Sequence, residues 1–259
     1  MSGSMTLTDR SGLKLGIYPV LEILTPTLDV YQSTRHGGAS DPPFDSLNIG
    51  LNVGDRITRA RSNRRLLLGA TGTSPHHLAR AEQVHGARIA VAEKAGLYGG
   101  VDGLITARKD LALAVSTADC FPVIVYAVSE RVLAALHVGH GGAAAGIIEK
   151  GIDLMRRLYT IDAANCVALI GPGICWRCYE VGKELGSRFA ERFRRNIKGR
   201  LHLDLQGFCI EELKRKGIPE GRIYESGYCT SCDPDLFYSH RRDGGTTGRH
   251  WTLARIRNA

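Results

Sequence analysis

No apolar run in the sequence approaches the roughly 20 residues that a membrane-spanning helix needs. The longest stretches, "LALAVS" and "FPVIVYAV", are separated by the polar knot Thr117-Ala118-Asp119-Cys120. The opening "MSGSMTLTDRSG" lacks the apolar core of a secretory leader. Residues 1–12 are therefore expected to be a flexible N-terminus, and the chain to be cytoplasmic without a membrane partner. Seven cysteines, an odd count, argue against a disulfide scaffold and for reduced thiols. No repeat and no linker interrupts the chain, so residues 13–259 read as one domain, long enough to bury a sizeable core. Aromatics make up only 7% of the chain and are not interleaved with the basic segments "RARSNRR", "RFAERFRRNIKGR" and "ELKRKG". That pattern argues against a base-stacking platform. The net charge of +8 reads instead as solvated surface, and as a field suited to a small anionic substrate rather than nucleic acid. Nine histidines include no His-x-His pair, which weakens a multi-copper cluster. The His-x-Glu and Pro-Cys-x-x-Cys signature of known zinc deaminases is missing as well.

What is present alternates apolar strand-like runs with amphipathic segments, which predicts a mixed α/β domain. Residues 13–32 read as β-rich. "STRHGGASDPPFDSLNIGLNVGD" is a long loop, and loops of that length are commonly functional. "RITRARSNRRLLLGATG" reads as a helix ending near Gly69 or Gly72. "LARAEQVHGARIAVAE" reads as two strands joined by a tight turn at His85-Gly86, and "RVLAALHVGHGG" as a buried strand ending at His137. "GAAAGIIEKGIDLMRRLYT" and "EVGKELGSRFAERFRR" read as helices, the first with Ile147, Ile148, Ile152, Met155 and Leu158 on one face. Asp204 is placed to cap "LQGFCIEELKRK", which Gly217 ends.

Three residues share a context. His85 in "EQVHG", Cys120 in "STADC" and His137 in "LAALHVGHGG" each stand where a strand gives way to a turn. If those strand ends are neighbours, two imidazoles and a thiolate meet at one point. Zinc favours that ligand mix, and three protein ligands leave a fourth position open for water. Asp119 and Asp102 are candidates to orient the ligands or carry protons. The same residues also suit a metal-free Cys–His nucleophilic dyad. Cys175/Cys178 and Cys229/Cys232 form two Cys-x-x-Cys pairs. They could make a four-thiolate zinc site, but their separation exceeds that of a zinc ribbon. The reading adopted is loop thiols near the site, with Cys166 and Cys209 in the core.

The pieces "STRHGGAS", "FDSLNIGLNVGD", "EQVHG", "DGLIT", "STADCFPV", "AALHVGHGG", "IGPGICWRCYEVG" and "SHRRDGGTTGRH" occur in this order across most of the chain. Together they resemble the YfiH/YlmD-type family, also called the laccase-domain or multicopper polyphenol oxidase family. The resemblance implies a single layered α/β/β/α domain with mixed sheets. It implies a zinc site made of His85, Cys120 and His137, the catalytic centre. It also implies purine nucleoside chemistry: phosphorolysis of adenosine, inosine, guanosine or methylthioadenosine with phosphate, and deamination of adenosine. The older family name implies copper, and some members are tied to amide hydrolysis in peptidoglycan-precursor editing.

One departure concerns the third strand. The family reads His-Ala-Gly-Trp-Arg-Gly where this chain has His137-Val138-Gly139-His140-Gly141-Gly142. The arginine fork that would hold phosphate is absent. Arg35, Arg241 and Arg242 are candidates to compensate, and His36 and Asn48 of the long loop are further candidates for substrate binding. His140 is expected to line the pocket. Competing readings are the amide hydrolase, a copper polyphenol oxidase, a nucleic-acid module and a structural zinc protein.

Overall fold

The computed structural model describes residues 4–257. The strands in chain order are β1 (Thr6–Arg10), β2 (Leu13–Ile17), β3 (Leu28–Ser33), β4 (Leu78–Ala81), β5 (Ile89–Val91), β6 (Gly96–Tyr98), β7 (Gly103–Thr106) and β8 (Ala112–Thr117). They continue with β9 (Phe121–Ala127), β10 (Val132–Val138), β11 (Cys166–Ile170), β12 (Arg194–Ile197), β13 (Arg200–Leu203), β14 (Ile223–Glu225) and β15 (His250–Ile256). The helices are α1 (Pro19–Leu24), α2 (Ile57–Ala70), α3 (His140–Ala144), α4 (Ile147–Tyr159), α5 (Lys183–Ser187) and α6 (Leu205–Arg215).

Two mixed sheets form the centre. Among the described residues one has the order β1-β2-β3-β15-β8-β4-β6 and the other β14-β11-β9-β10-β7-β5. The apolar runs that read as buried strands are buried on both faces, as every residue of β9 and β10 is. One core lies between the sheets, with Leu113, Val115 and Ala254 facing Ile124, Tyr126 and Leu133. A second core lies under α4 and α6, where Ile148, Ile152, Met155 and Leu213 meet Val123, Ala134 and Leu136. A third joins Leu67 and Leu68 of α2 to Leu13, Leu15 and Leu253. The layers are thus helix, sheet, sheet, helix, in one compact domain. Each fully buried aliphatic side chain contributes about 1.5–3 kcal/mol.

Several expectations change. Residues 6–10, assigned to a flexible N-terminus, form β1 and pair with β2 from Thr6↔Ile17 to Arg10↔Leu13. Alternating burial along "TLTDR" is too weak a signal, and the hairpin partner supplies the order. Residues 1–3 and 258–259 of the expected ranges lie outside the described residues. The expected hairpin at His85-Gly86 does not form. β4 pairs with β6 and β8, whereas β5 pairs with β7 in the other sheet. The helix expected over 142–160 breaks at Gly146, which sits in the left-handed region (φ 77°). Leu158 of that helix is exposed. "EVGKELGSRFAERFRR" gives only the short α5. Phe189 and Phe193 turn inward onto Phe208, and Arg194–Ile197 pair with β13. Asp204 does cap α6, its Oδ1 accepting from the Gly207 amide at 2.9 Å.

Candidate metal centre and its cavity

The chain crosses from one sheet to the other twice at the same end of the molecule. β4 gives way to β5 through residues 82–88, and β8 gives way to β9 through residues 118–120. The polar knot at Asp119-Cys120 is therefore a crossover. β10 ends beside both, and its continuation turns into α3. His85, Cys120 and His137 lie on these three segments, and their ligand atoms all fall within 4.8 Å of one another. The two imidazole rings meet edge to face, with centroids 4.9 Å apart.

Tight backbone makes this convergence possible. Gln83, His85 and Asp119 all adopt positive φ, at 64°, 60° and 94°. Such conformations cost about 1–3 kcal/mol each unless the surroundings enforce them. Here they do. The Gln83 side chain bonds the backbone of Ser116 in both directions, Nε2 to the carbonyl at 2.6 Å and the amide to Oε1 at 2.7 Å. Asp102 accepts the backbone N–H groups of Val84, His85 and Gly86 at 3.2, 2.8 and 2.7 Å. Asp119 accepts from the Thr230 hydroxyl at 2.7 Å and the Arg241 amide at 2.7 Å. Glycines supply the remaining room. A Cβ at Gly139 would lie 2.9 Å from Cys120 Sγ, one at Gly141 2.6 Å from the His85 carbonyl oxygen, and one at Gly142 2.6 Å from the Gly86 carbonyl oxygen.

Asp102 also reaches the ligand itself: its Oδ1 lies 2.9 Å from His137 Nδ1. Burial raises the Asp102 pKa, but the hydrogen bonds from His137 and from the Gly86 and His85 amides outweigh it and hold the carboxyl below its usual range. A carboxylate on Nδ1 fixes that nitrogen as the donor and leaves Nε2 as a lone-pair ligand. Burial raises the Cys120 thiol, yet His137 and His85 override it and bring the thiol down to about 6. Burial likewise opposes charge on His137, while Cys120 and Asp102 lift it to about 9. Both shifts favour a thiolate–imidazolium pair near neutral pH when no metal is bound.

One sulfur and two ring nitrogens suit a borderline metal ion. Tetrahedral bonds of about 2.0–2.3 Å require ligand atoms roughly 3.5 Å apart, a spacing compatible with a set whose ligand atoms all lie within 4.8 Å of one another. The donor set fits.

The three residues line a cavity of about 700 Å³, a size suited to a small organic substrate. Its walls include Asp119, His140, Tyr179, His240, Arg241 and Arg249, with Arg64, Arg80 and Trp251 at one side. His140 faces the cavity as expected, and its Nδ1 lies 3.1 Å from Tyr179 Oη. Burial first, and then Arg188, His85 and Arg241, lower its pKa. Among the described residues the guanidinium groups of Arg64, Arg80, Arg241 and Arg249 have no carboxylate within 4.0 Å. Burial lowers the pKa of Arg249 and of Arg80. Arg64 falls to about 10 through burial and the charges of Arg80 and Arg61.

Of the five residues expected to bind substrate, Arg241 lines this cavity. The other four differ. Arg35 pairs with Asp45 at 3.1 Å and stacks on Tyr238. His36 bonds the Asp235 carbonyl. Asn48 is fully buried, bonding Gly50, Asp55 and the Arg249 amide. Arg242 pairs with Asp243 at 2.7 Å and donates to the Thr230 and Phe237 carbonyls. Their polar groups hold the long loop and the C-terminal loop together. Arg80 went unnoticed because it lies within β4, which reads as plain sheet; Arg249 stands one residue before β15.

A mixed two-sheet fold with a His–Cys–His donor set at a sheet crossover defines a class of α/β proteins with a candidate metal centre. The sequence model of the family described as multi-copper polyphenol oxidoreductase laccase matches residues 29–257. The chain is 36% identical to the purine nucleoside phosphorylase YlmD of Geobacillus stearothermophilus over 235 residues, 84% of this chain and 86% of that protein. It is 37% identical to a purine nucleoside phosphorylase of Deinococcus radiodurans over 232 residues, 85% and 86% of the two chains. The crystal structure of YlmD from Geobacillus stearothermophilus superposes with a TM-score of 0.91 at 31% identity, covering 97% of this chain and 99% of that one. The crystal structure of the Bacillus licheniformis hypothetical protein YfiH gives 0.90 at the same identity and coverage. The chain belongs to this YfiH/YlmD, or laccase-domain, family.

Proposed function

We propose that the protein is a zinc-dependent purine nucleoside phosphorylase whose centre is His85, Cys120 and His137. The observation that carries the reading is the pairing of this donor set with arginines that lack carboxylate partners, in one cavity. Guanidiniums without counter-ions, half-buried at Arg249 and exposed at Arg241, favour an anion beside them, and phosphate matches their donor geometry. Arg249 and Arg241 are the groups assigned to phosphate, in place of the arginine that Gly141 replaces. A zinc ion held by the three ligands would supply a Lewis acid for charge developing on a substrate oxygen. The protein's own groups do the rest. Asp102 orients His137 and the His85 loop, Asp119 sets the wall that carries Arg241, and the cavity holds phosphate in line with C1′ of the ribose. The new C1′–O bond forms as the C1′–N9 bond breaks, and its electron pair leaves with the purine.

Adenosine, inosine, guanosine and methylthioadenosine share the purine and the C1′–N9 glycosidic bond that this reading requires. Adenosine deamination is the companion activity to test in the same sample. Seven free cysteines suit a reducing, cytoplasmic setting, and no described helix is long and apolar enough to cross a membrane. The multi-copper reading gains no support: among the described residues the ligand clusters are the His–Cys–His set and four cysteines, without the histidine-rich group that a laccase cluster needs.

The test is elemental analysis of the purified chain followed by chromatography of its products from adenosine with and without phosphate. Adenine and ribose 1-phosphate forming only with phosphate is the expected result. Inosine formed without phosphate would assign deamination instead. Bound zinc with neither product would overturn the nucleoside assignment and favour amide hydrolysis.

A further inference from the structure

The two Cys-x-x-Cys segments, 54 positions apart in sequence from Cys175 to Cys229, meet in space. We propose that Cys175, Cys178, Cys229 and Cys232 form a second, structural zinc site that staples together two loops flanking the catalytic cavity. All four sulfurs lie within 4.8 Å of one another. Cys175 and Cys232 are 3.9 Å apart and Cys178 and Cys232 3.3 Å. A tetrahedron of thiolates on zinc has edges of about 3.8 Å, given bonds of about 2.3 Å. A disulfide would bring two sulfurs to about 2.05 Å and leave the other pair unexplained.

The backbone is shaped for this cluster. The Cys178 amide bonds the Cys175 carbonyl at 3.0 Å, and the Asp233 amide bonds the Cys229 carbonyl at 3.0 Å, so each pair is carried on a tight turn. A backbone bridge joins Gly173 to Cys229 and sets one turn against the other. The Cys175 amide points at Cys229 Sγ at 3.2 Å, a donor that favours a metal-bound thiolate. Arg242 ties down the second turn, its Nη1 donating to the Thr230 carbonyl at 2.7 Å.

None of the four cysteines lines the cavity, and four protein ligands leave no open position, so the role is structural. Both loops end on the same residue. The Ile174 amide bonds the Asp119 carbonyl at 2.9 Å, and the Thr230 hydroxyl bonds Asp119 Oδ1 at 2.7 Å. Asp119 immediately precedes Cys120. The first loop runs directly into Tyr179, which contacts His140. A zinc ion here would fix the wall of the catalytic site from behind.

The experiment is zinc stoichiometry of the full-length chain, purified under reducing conditions. The wild type is expected to hold about two zinc ions per chain, and His85→Ala/Cys120→Ala and Cys178→Ser/Cys232→Ser about one each. The second variant is also expected to melt at lower temperature. Should it fail to fold, the His85→Ala/Cys120→Ala chain loaded with cobalt decides the matter. Strong thiolate-to-cobalt charge-transfer bands there support the four-cysteine site. No retained metal in that variant, with the four thiols freely alkylated in the native state, would overturn it. So would an intact mass short by the hydrogens of a disulfide. Neither outcome bears on phosphorolysis, which is read from products.

Discussion

Asp102 ties together two segments of the candidate metal centre: its Oδ1 lies 2.9 Å from His137 Nδ1, and the same carboxylate takes the backbone amide of His85 at 2.8 Å. One buried side chain therefore orients both imidazole ligands. Replacing Asp102 by Asn turns one acceptor oxygen into a donor facing amides. The expected result is a loss of about 10–100-fold in zinc affinity. Stability should fall by about 1–3 kcal/mol through the unmatched buried amides. Competition with a chromophoric chelator reads the first, and chemical denaturation the second. Unchanged zinc affinity would show that His137 needs no carboxylate.

Gly139 and Gly141 should tolerate no side chain. A Cβ at 139 meets Cys120 Sγ and one at 141 meets the His85 carbonyl, both inside contact distance. Gly139→Ala is expected to lower zinc occupancy and to cost about 1–3 kcal/mol of stability from overpacking. Gly141→Arg restores the residue that the family carries. In this chain it should displace the His85 loop and weaken zinc binding without improving phosphate affinity. Zinc content and phosphate KM of the purified variants check this; a Gly141→Arg enzyme with full zinc and a lower phosphate KM would refute the steric argument.

Much of this architecture is legible before any coordinates. Apolar strands with polar ends mark β8, β9 and β10, and Cys120 and His137 stand at the ends of those runs, whereas His85 lies on the crossover after β4. What the sequence conceals is partnership between segments. Nothing local in "EQVHG" says that β4 and β5 enter different sheets, because the turn is made by Asp102, 17 residues away. The same limit hides the meeting of the two Cys-x-x-Cys pairs, which depends on a bridge between Gly173 and Cys229. It also hides ion pairing: Arg35 and Arg242 look available in sequence, yet Asp45 and Asp243 pair with them in space, while the Arg249 guanidinium, one residue before β15, has no carboxylate within 4.0 Å among the described residues.

Arg249 is the residue on which phosphate recognition should turn. It lines the cavity, and among the described residues no carboxylate lies within 4.0 Å of it. Its Nη1 is held by the Thr247 and Gly248 carbonyls at 3.0 and 2.9 Å, which fixes the fork. Arg249→Met is expected to raise the phosphate KM by about tenfold or more while changing the nucleoside KM little. Initial rates at varied phosphate measure it. Arg249→Lys should recover part of the loss, since charge returns without the planar fork. Equal rises in both KM values would assign Arg249 to general shaping of the pocket.

Proton linkage gives a sign that can be worked out in advance. In the metal-free chain His137 stays protonated up to about 9, and Cys120 is ionised above about 6. A metal ion needs Cys120 as thiolate and His137 neutral. Between about pH 7 and 8.5 the thiolate is already present, so binding must displace one proton from His137. Zinc affinity should therefore rise about tenfold per pH unit across that window and level off above about 9. Calorimetry in buffers of different ionisation enthalpy counts the protons. A value near one supports the thiolate–imidazolium pair. A value near zero at pH 7.5 would mean that His137 is neutral before metal arrives, and a value near two that Cys120 is still a thiol.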